Sequence, residues 1–476
     1  MMIVRRNRLV VRALAALALA VVSPAWANAP SYVGSEACAE CHGDKSEKIR
    51  NSIHSKMIRD ATIPGNVHGN LSAPKAPTMA DITHVIGGWY KEESYIKKEG
   101  ETWTVTNFEW NPITQKYAND KPLRDWLVKC AGCHTTGYDP ATKKFAELNI
   151  GCEACHGPGG DHINSTLKAD ITIDKTMEGC GHCHIRAESA ETADFPAKTF
   201  NFPIGYQLGK PETLQYIPEP PTATASFLPD QFTSKRHRQQ MLDIKNSKHY
   251  PNITCIKCHD PHDSGILTVH DTALPAGVYG VKIWDNSNGT FKYSAWDGDG
   301  LKKPKEEVCL TCHSSVSEHH AHYFTPAAEA AKVTCTDCHM PDIINVDATT
   351  LRGPLSPHTF RVLRPETSMK LGPDAMPNSC TYRCHQDKGT DKTARALWAA
   401  SYLSPKLETL PLAFSEPFKV RLHGVRNFTY SVETSSDLKA WTPLGTPQKV
   451  PVSGLLDVPD PDSLATPYRF YRALEK

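Results

Sequence analysis

Regular alternation of apolar and polar residues is concentrated near the two ends of this 476-residue chain. At the start, Ala13 to Val22 form a short apolar run behind Arg5, Arg6, Arg8 and Arg12, and Ala25-Trp26-Ala27 offers a small-x-small cleavage site. This pattern predicts an export signal over residues 1–27 and a mature start at Asn28. From about Thr390 to Leu403, Ala394, Leu397, Trp398 and Tyr402 recur at helical spacing and predict a closing helix. Beyond Pro405 the period drops to two. Phe418, Val420 and Leu422 alternate with polar residues, as do Phe428, Tyr430 and Val432, and turn residues separate them from a last run, Tyr468 to Leu474. The expectation for residues 404–476 is a small all-β, sandwich-like C-terminal domain.

Between these ends neither period persists. The stretch from Met57 to Trp126 contains strand-like pieces such as Thr102 to Phe108 and reads as a flap or interaction surface; Thr199 to Phe227, rich in proline and aromatics, reads as ordered loop. Only 39% of residues are hydrophobic, while Pro (36) and Gly (29) are abundant. Such a chain is poor at building a large core from its own side chains. Residues 28–403 are therefore expected to be mainly α, with short helices, long ordered loops and little sheet, wrapped around something that is not polypeptide. A net charge of +1 argues against nucleic acid as a partner. No later stretch reaches the roughly 18 apolar residues that span a bilayer, so the mature chain is expected to be soluble and exported, periplasmic or extracellular.

The cysteines identify the missing material. All 16 fall in pairs whose second member is followed by histidine: Cys38/Cys41/His42, Cys130/Cys133/His134, Cys152/Cys155/His156, Cys180/Cys183/His184, Cys255/Cys258/His259, Cys309/Cys312/His313, Cys335/Cys338/His339 and Cys380/Cys384/His385. Seven read Cys-x-x-Cys-His and the last Cys-x-x-x-Cys-His. With histidine at 22 of 476 residues, eight successes by chance have odds of roughly one in ten to the tenth. Zinc clamps would vary the residue after each pair, and a disulfide framework has no use for the histidines. Cysteines at i and i+3 share a helical face, so both can bond one porphyrin edge while the next residue ligates the iron. The cysteines at i and i+4 in the eighth motif share a face too. The chain is thus expected to carry eight covalently bound haem c groups, which supply the apolar volume of a haem-packed interior, and to be largely unfolded without them.

Fourteen histidines remain after the eight in the motifs are removed from 22, enough for a second imidazole on every iron. Local context selects His54, His162, His237, His249, His262, His320, His322 and His358 as sixth ligands, with His84 behind them and His68, His182, His270 and His423 as bystanders. Two imidazoles leave an iron no place for substrate and lower its reduction potential relative to a Met/His pair. A saturated set predicts an electron conductor; one missing ligand predicts an oxidoreductase.

The segments "YVGSEACAECH", "HVIGGWYKEESYI", "CAGCHTTGYD", "GCEACHGPGGDH", "CHDPHDSG", "CTDCHMPD" and "PNSCTYRCHQDK" resemble the multihaem cytochrome c superfamily from about residue 32 to 400. That group includes tetrahaem electron carriers, pentahaem nitrite reductase, hydroxylamine oxidoreductase and octahaem tetrathionate reductase. The resemblance implies haems in parallel and perpendicular pairs, and makes His162, His262 and His358 matches to common distal-ligand positions. Nitrite and tetrathionate reductases of the group replace one motif histidine by lysine; here all eight keep histidine, which counts against both activities. The stretch "FTYSVETSSDLKAWTPL" with "RFYRAL" resembles a β module appended to many secreted bacterial proteins. The expected function is electron transfer along a chain of bis-histidine haems between redox proteins, other cytochromes or membrane quinol-linked donors. The alternatives are an oxidoreductase with one open haem, acting on hydroxylamine, nitrite or tetrathionate, and a homo-oligomeric subunit of an extracellular conductive filament.

Overall fold

The computed structural model describes residues 31–89, 92–275, 280–297, 300–314, 333–343, 356–403, 406–410, 418–425, 428–451, 453–463 and 469–476. The expected export signal over 1–27, His320 and His322 lie outside these residues.

The fold is not mainly α. It is 22% helical and 26% strand, which corrects the expected helical body with little sheet. The cause is visible in the elements. Most motif helices are single turns, such as Cys152–His156 and Cys335–His339, because the motif needs no more than one turn. The polypeptide between motifs forms antiparallel sheet instead. Strands Ile58–Asp60, His84–Gly87, Glu93–Glu99, Thr102–Asn111 and Lys116–Ala118 pair in chain order, and Arg124–Asp125 joins the fourth. A three-stranded sheet from Ile266–His270, Gly280–Asp285 and Thr290–Asp297 lies beside it.

The first sheet follows from its sequence. In Thr102–Asn111, Trp103 and Val105 face one cluster with Trp126 and Ile96, whereas Trp110 faces a second with Tyr95 and Tyr117. Gly100 at φ +58 makes the tight reversal before this strand. Asn111 Oδ1 accepts from Ile113 N (2.9 Å) and Thr114 N (3.0 Å) and makes the reversal after it.

A buried ionic cluster locks the sheet. Arg59 donates to Glu93 at 2.9 Å with side-chain exposures of 7% and 0%. Glu93 also accepts from the backbone N–H groups of His68 and Gly69 and from the Tyr95 hydroxyl, which meets the Tyr117 hydroxyl at 3.1 Å. Burial pushes the Glu93 carboxyl up and Arg59 down to about 10, each partly offset by the other's charge. Arg59 further donates to the carbonyls of Lys56 and Gly87, so the cluster fixes the Gly87–Trp89 loop. Replacing Glu93 by leucine strands the guanidinium in the interior and is expected to cost about 3–5 kcal/mol. Thermal unfolding of holoprotein checks this; an unchanged midpoint would refute the cluster's role.

Further on, the helix Lys392–Leu403 closes the motif region. Beyond it lie a three-stranded sheet (Lys406–Thr409, Phe418–His423, Leu455–Asp460) and a four-stranded one (Thr429–Ser435, Thr442–Pro443, Gln448–Lys449, Phe470–Glu475). Leu422 and Val458 from the first and Tyr430 and Val432 from the second share one core with Val450. Among the described residues no helix is long and apolar enough to cross a membrane.

Candidate haem sites

The motifs fold as the i, i+3 argument requires. His42, His184, His259 and His313 each donate a backbone N–H to the carbonyl of the first cysteine in their own motif, at 2.9 to 3.0 Å. In the eighth motif His385 N reaches the Cys380 carbonyl at 3.2 Å across one more residue. The extra residue is absorbed by a wider turn. His385 also lies 4.9 Å from the Trp398 ring of the closing helix. Glu153, inside the third motif and buried, accepts from the backbone N–H groups of Val33, Gly34 and Gly159 and ties the start of the described chain to that site.

Five motif histidines face a second imidazole. Ring centroids are 6.4 Å apart for His42 and His162, 6.1 Å for His184 and His54, 6.0 Å for His156 and His262, 6.2 Å for His259 and His358, and 5.9 Å for His313 and His249. Two ring nitrogens about 2 Å from one shared metal, with about 1.1 Å more to each ring centre, require roughly 6.2 Å. The planes are near-parallel in the first and third motifs (14° and 11°), 30° apart in the fifth, and steep in the fourth and sixth (87° and 78°). His156, His162 and His358 donate Nδ1–H to the carbonyls of Thr172, Leu167 and Ser356 at 2.8, 2.9 and 3.0 Å. That fixes the tautomer whose Nε2 lone pair is available to a metal. Burial lowers His54, and holds His184 and His358 near about 4, so these rings are neutral, the form that ligates.

The space between the rings fits the group. A continuous cavity of 2550 Å³ is lined by the complete motifs from the first to the fifth and by Cys309 of the sixth. Small-molecule pockets are about 300–1,000 Å³, so this volume suits several large planar groups. Neighbouring motifs are close enough for their sulfurs to act on one another. The thiol of Cys38 is perturbed by Cys152, that of Cys133 by Cys183, that of Cys180 by Cys255, and that of Cys309 by Cys335. Cys155 adjoins Cys180, Cys258 adjoins Cys309, and Cys338 adjoins Cys380. The succession is motif one, three, four, five, six, seven, eight, with motif two branching from four.

Cys312 is exposed and does not line this cavity, although its motif partner Cys309 does. The physical reason is where the helix stops. Lys305–Leu310 carries Cys309 but ends two residues before Cys312, which follows the C-cap Thr311 and is held by its N–H on the Cys309 carbonyl at 3.2 Å. That bond keeps Cys312 one turn from Cys309, as the motif requires, but the body of the helix does not cover it. Cys384 of the eighth motif is exposed in the same way, whereas Cys41 and Cys155, also exposed, still line the cavity.

Residues 91–157 match the family model described as cytochrome c554 and c-prime. Over 252 residues, 49% of this chain, the sequence is 24% identical to the dissimilatory sulfite reductase MccA of Wolinella succinogenes; the match spans only 30% of that enzyme's length. The crystal structure of outer cell wall cytochrome OcwA superposes with a TM-score of 0.52, covering 78% of this chain and 87% of that one at 24% identity. The chain is a multihaem c-type cytochrome.

The cytochrome carries covalently bound haem c, and its second motif stands apart from the five paired sites. Among the described residues no second imidazole faces His134. Burial, and then the positive charge of Arg238, hold His134 near about 4. Arg124, Lys129, Arg186, Arg236 and Arg238 line the cavity with His237 between the last two. Arg238 is held at φ +56, a left-handed conformation unusual for arginine, and Lys129 Nζ donates to Asn201 Oδ1 at 2.8 Å. Burial and then repulsion by Arg238 lower Arg186, whose one carboxylate partner in the group, Glu219, is at 2.8 Å. Phe200, Phe202 and Ile204 pack against Cys133 and Tyr138. A Cβ on Gly132 would sit 2.3 Å from the Phe202 ring, so the second motif needs glycine there. Sequence reasoning singled out His237 in "KRHRQQ" as a ligand and passed over the arginines on either side of it. The local run of positive charge was the available signal.

Proposed function

We propose that this cytochrome carries eight haems and conducts electrons along the succession one, three, four, five, six, seven, eight between redox protein partners outside the cytoplasm. The sulfur-to-sulfur succession of motifs, with paired imidazoles at five of them, carries the reading. When bound, haem iron supplies reversible one-electron chemistry. The chain's residues hold the rings at ligating distance, fix their tautomers and exclude water from between neighbouring sites. Mass spectrometry and pyridine haemochrome analysis of the exported protein are expected to give eight haems per chain; seven, with Cys380 and Cys384 unmodified, would remove the eighth site from the conduit.

A second reading is favoured by the second site. With Arg238 and no second imidazole beside His134, a haem held there would be open to a ligand, and the positive charge of Arg238 and its neighbours would select an anion. On this reading the cytochrome is also an oxidoreductase acting on a small oxyanion. Similarity to a dissimilatory sulfite reductase supports the same class.

A further inference from the structure

An imidazole on a metal is tuned by what its other nitrogen touches. An acceptor for that N–H makes the ring a stronger donor and stabilises the oxidised metal. The distal and motif rings of this chain form a graded set. His156, His162, His358 and His339 have backbone carbonyls at 2.8 to 3.0 Å from Nδ1, and His54 has the Ser264 hydroxyl at 2.9 Å. His249 departs from them. Its Nδ1 is enclosed by protein and has no hydrogen-bond partner, while its ring faces His313 across the sixth site.

The loop holds His249 there. Its backbone N–H donates to Ser247 Oγ at 3.1 Å, and its carbonyl accepts from Asn252 at 2.8 Å and Ile253 at 3.3 Å. The Phe360 ring packs against the imidazole with centroids 4.4 Å apart. An enclosed nitrogen admits neither water nor a porphyrin edge, so binding of the haem does not supply the missing acceptor. His262 also lacks a protein acceptor, with Asp260 Oδ1 3.8 Å from its Nδ1, but its side chain is 34% exposed and open to water. Of the five distal rings His249 alone is both enclosed and without an acceptor, and so is the poorest donor, at the place where the succession passes from the fifth motif to the seventh.

We propose that His249 makes the sixth site the highest-potential bis-histidine site of the conduit, an internal station where electrons collect before they move on. This rests on the conduit reading above. Electrons entering from either end fill this site first, so the protein holds charge when one partner is absent.

The ring angles make the claim testable by EPR-monitored redox titration of full-length holoprotein. Near-perpendicular imidazole planes, as in the fourth and sixth sites, give low-spin ferric signals with one large g value; near-parallel planes give rhombic signals. The first low-spin signal lost on reduction is expected to be of the large-g type. Phe360→Asn places an amide oxygen beside His249 Nδ1 and leaves in place the main-chain carbonyl that accepts from His339, so that signal is expected to disappear at lower potential, with the others unmoved. Ser264→Ala identifies the fourth-site signal without touching Phe360. The proposal is overturned if the signal lost first is rhombic, if Ser264→Ala moves it, or if Phe360→Asn leaves it in place. Absence of every large-g signal would instead overturn the bis-histidine reading itself.

Discussion

Replacing Arg238 by alanine is expected to weaken binding of nitrite or sulfite at the second site by about 10- to 100-fold. A hydrogen bond to a charged group contributes about 1.5–3 kcal/mol, and each 1.4 kcal/mol is about tenfold in affinity. Arg238 is the residue whose charge acts on His134 most directly, and it takes a left-handed backbone conformation to do so. Sterically costly conformations persist where the surroundings impose them. The measurement is titration of each anion against the high-spin ferric signal that an open second site must give. Arg238→Lys keeps the charge but loses the planar fork and should fall between wild type and alanine. Unchanged affinity in Arg238→Ala would sink the anion site, and a wholly low-spin spectrum would sink the open haem. The five paired sites should not respond to either anion, because two imidazoles already occupy them.

The parts of this protein that were legible in the sequence are those set by local chemistry. A cysteine pair with histidine needs one helical turn, so the short turns that carry the motifs could be read directly. How far each is enclosed could not: Cys309 and Cys312 belong to one motif, yet only Cys309 lines the cavity. The closing helix and the C-terminal strands were legible as elements from their apolar spacing, but not their burial: Leu397 of the expected helix face is 58% exposed, and Thr429–Ser435 buries Ser431 and Glu433 as well as Tyr430 and Val432. The six-stranded sheet was hidden because its strands are short and several bury both faces: Tyr95 and Ile96 are adjacent and both fully enclosed. Period-two alternation disappears under such conditions, so of Met57 to Trp126 only pieces such as Thr102 to Phe108, within the strand Thr102–Asn111, read as strand.

Ligand pairing was illegible for a different reason. His262 faces His156, and His54 faces His184, across more than a hundred residues of chain in each case. Their proximity is a property of the tertiary path, and histidine looks the same in sequence whether its ring meets iron or solvent. The same limit explains the second site. Counting 14 spare histidines for eight irons suggested saturation. The count carries no information on placement, and among the described residues the ring opposite His134 is not there. Charge was a second local signal, because Arg236 and Arg238 flank His237.

Removing the fourth haem is expected to isolate the second site from both ends of the protein. Cys180 and Cys183 are the only pair whose sulfurs adjoin three other motifs among the described residues: Cys183 meets Cys133, and Cys180 meets Cys155 and Cys255. A linear chain with a side branch has one such junction, and every route to the branch passes through it. The Cys180→Ser/Cys183→Ser protein should therefore hold one haem fewer, and its second site should reduce only at the background rate of direct reaction with the donor. The matched control is Cys309→Ser/Cys312→Ser, which also loses one haem but cuts the trunk beyond the junction. There the second site should still reduce rapidly through the first and third sites. Stopped-flow reduction with a protein donor too large to enter the cavity separates the two, because it reads delivery and not haem content. Equal loss of second-site reduction in both variants would show that electrons do not follow the sulfur contacts. Fast reduction in the fourth-site variant would show that the second site has its own entry from solvent, and the branch would then be a separate redox centre.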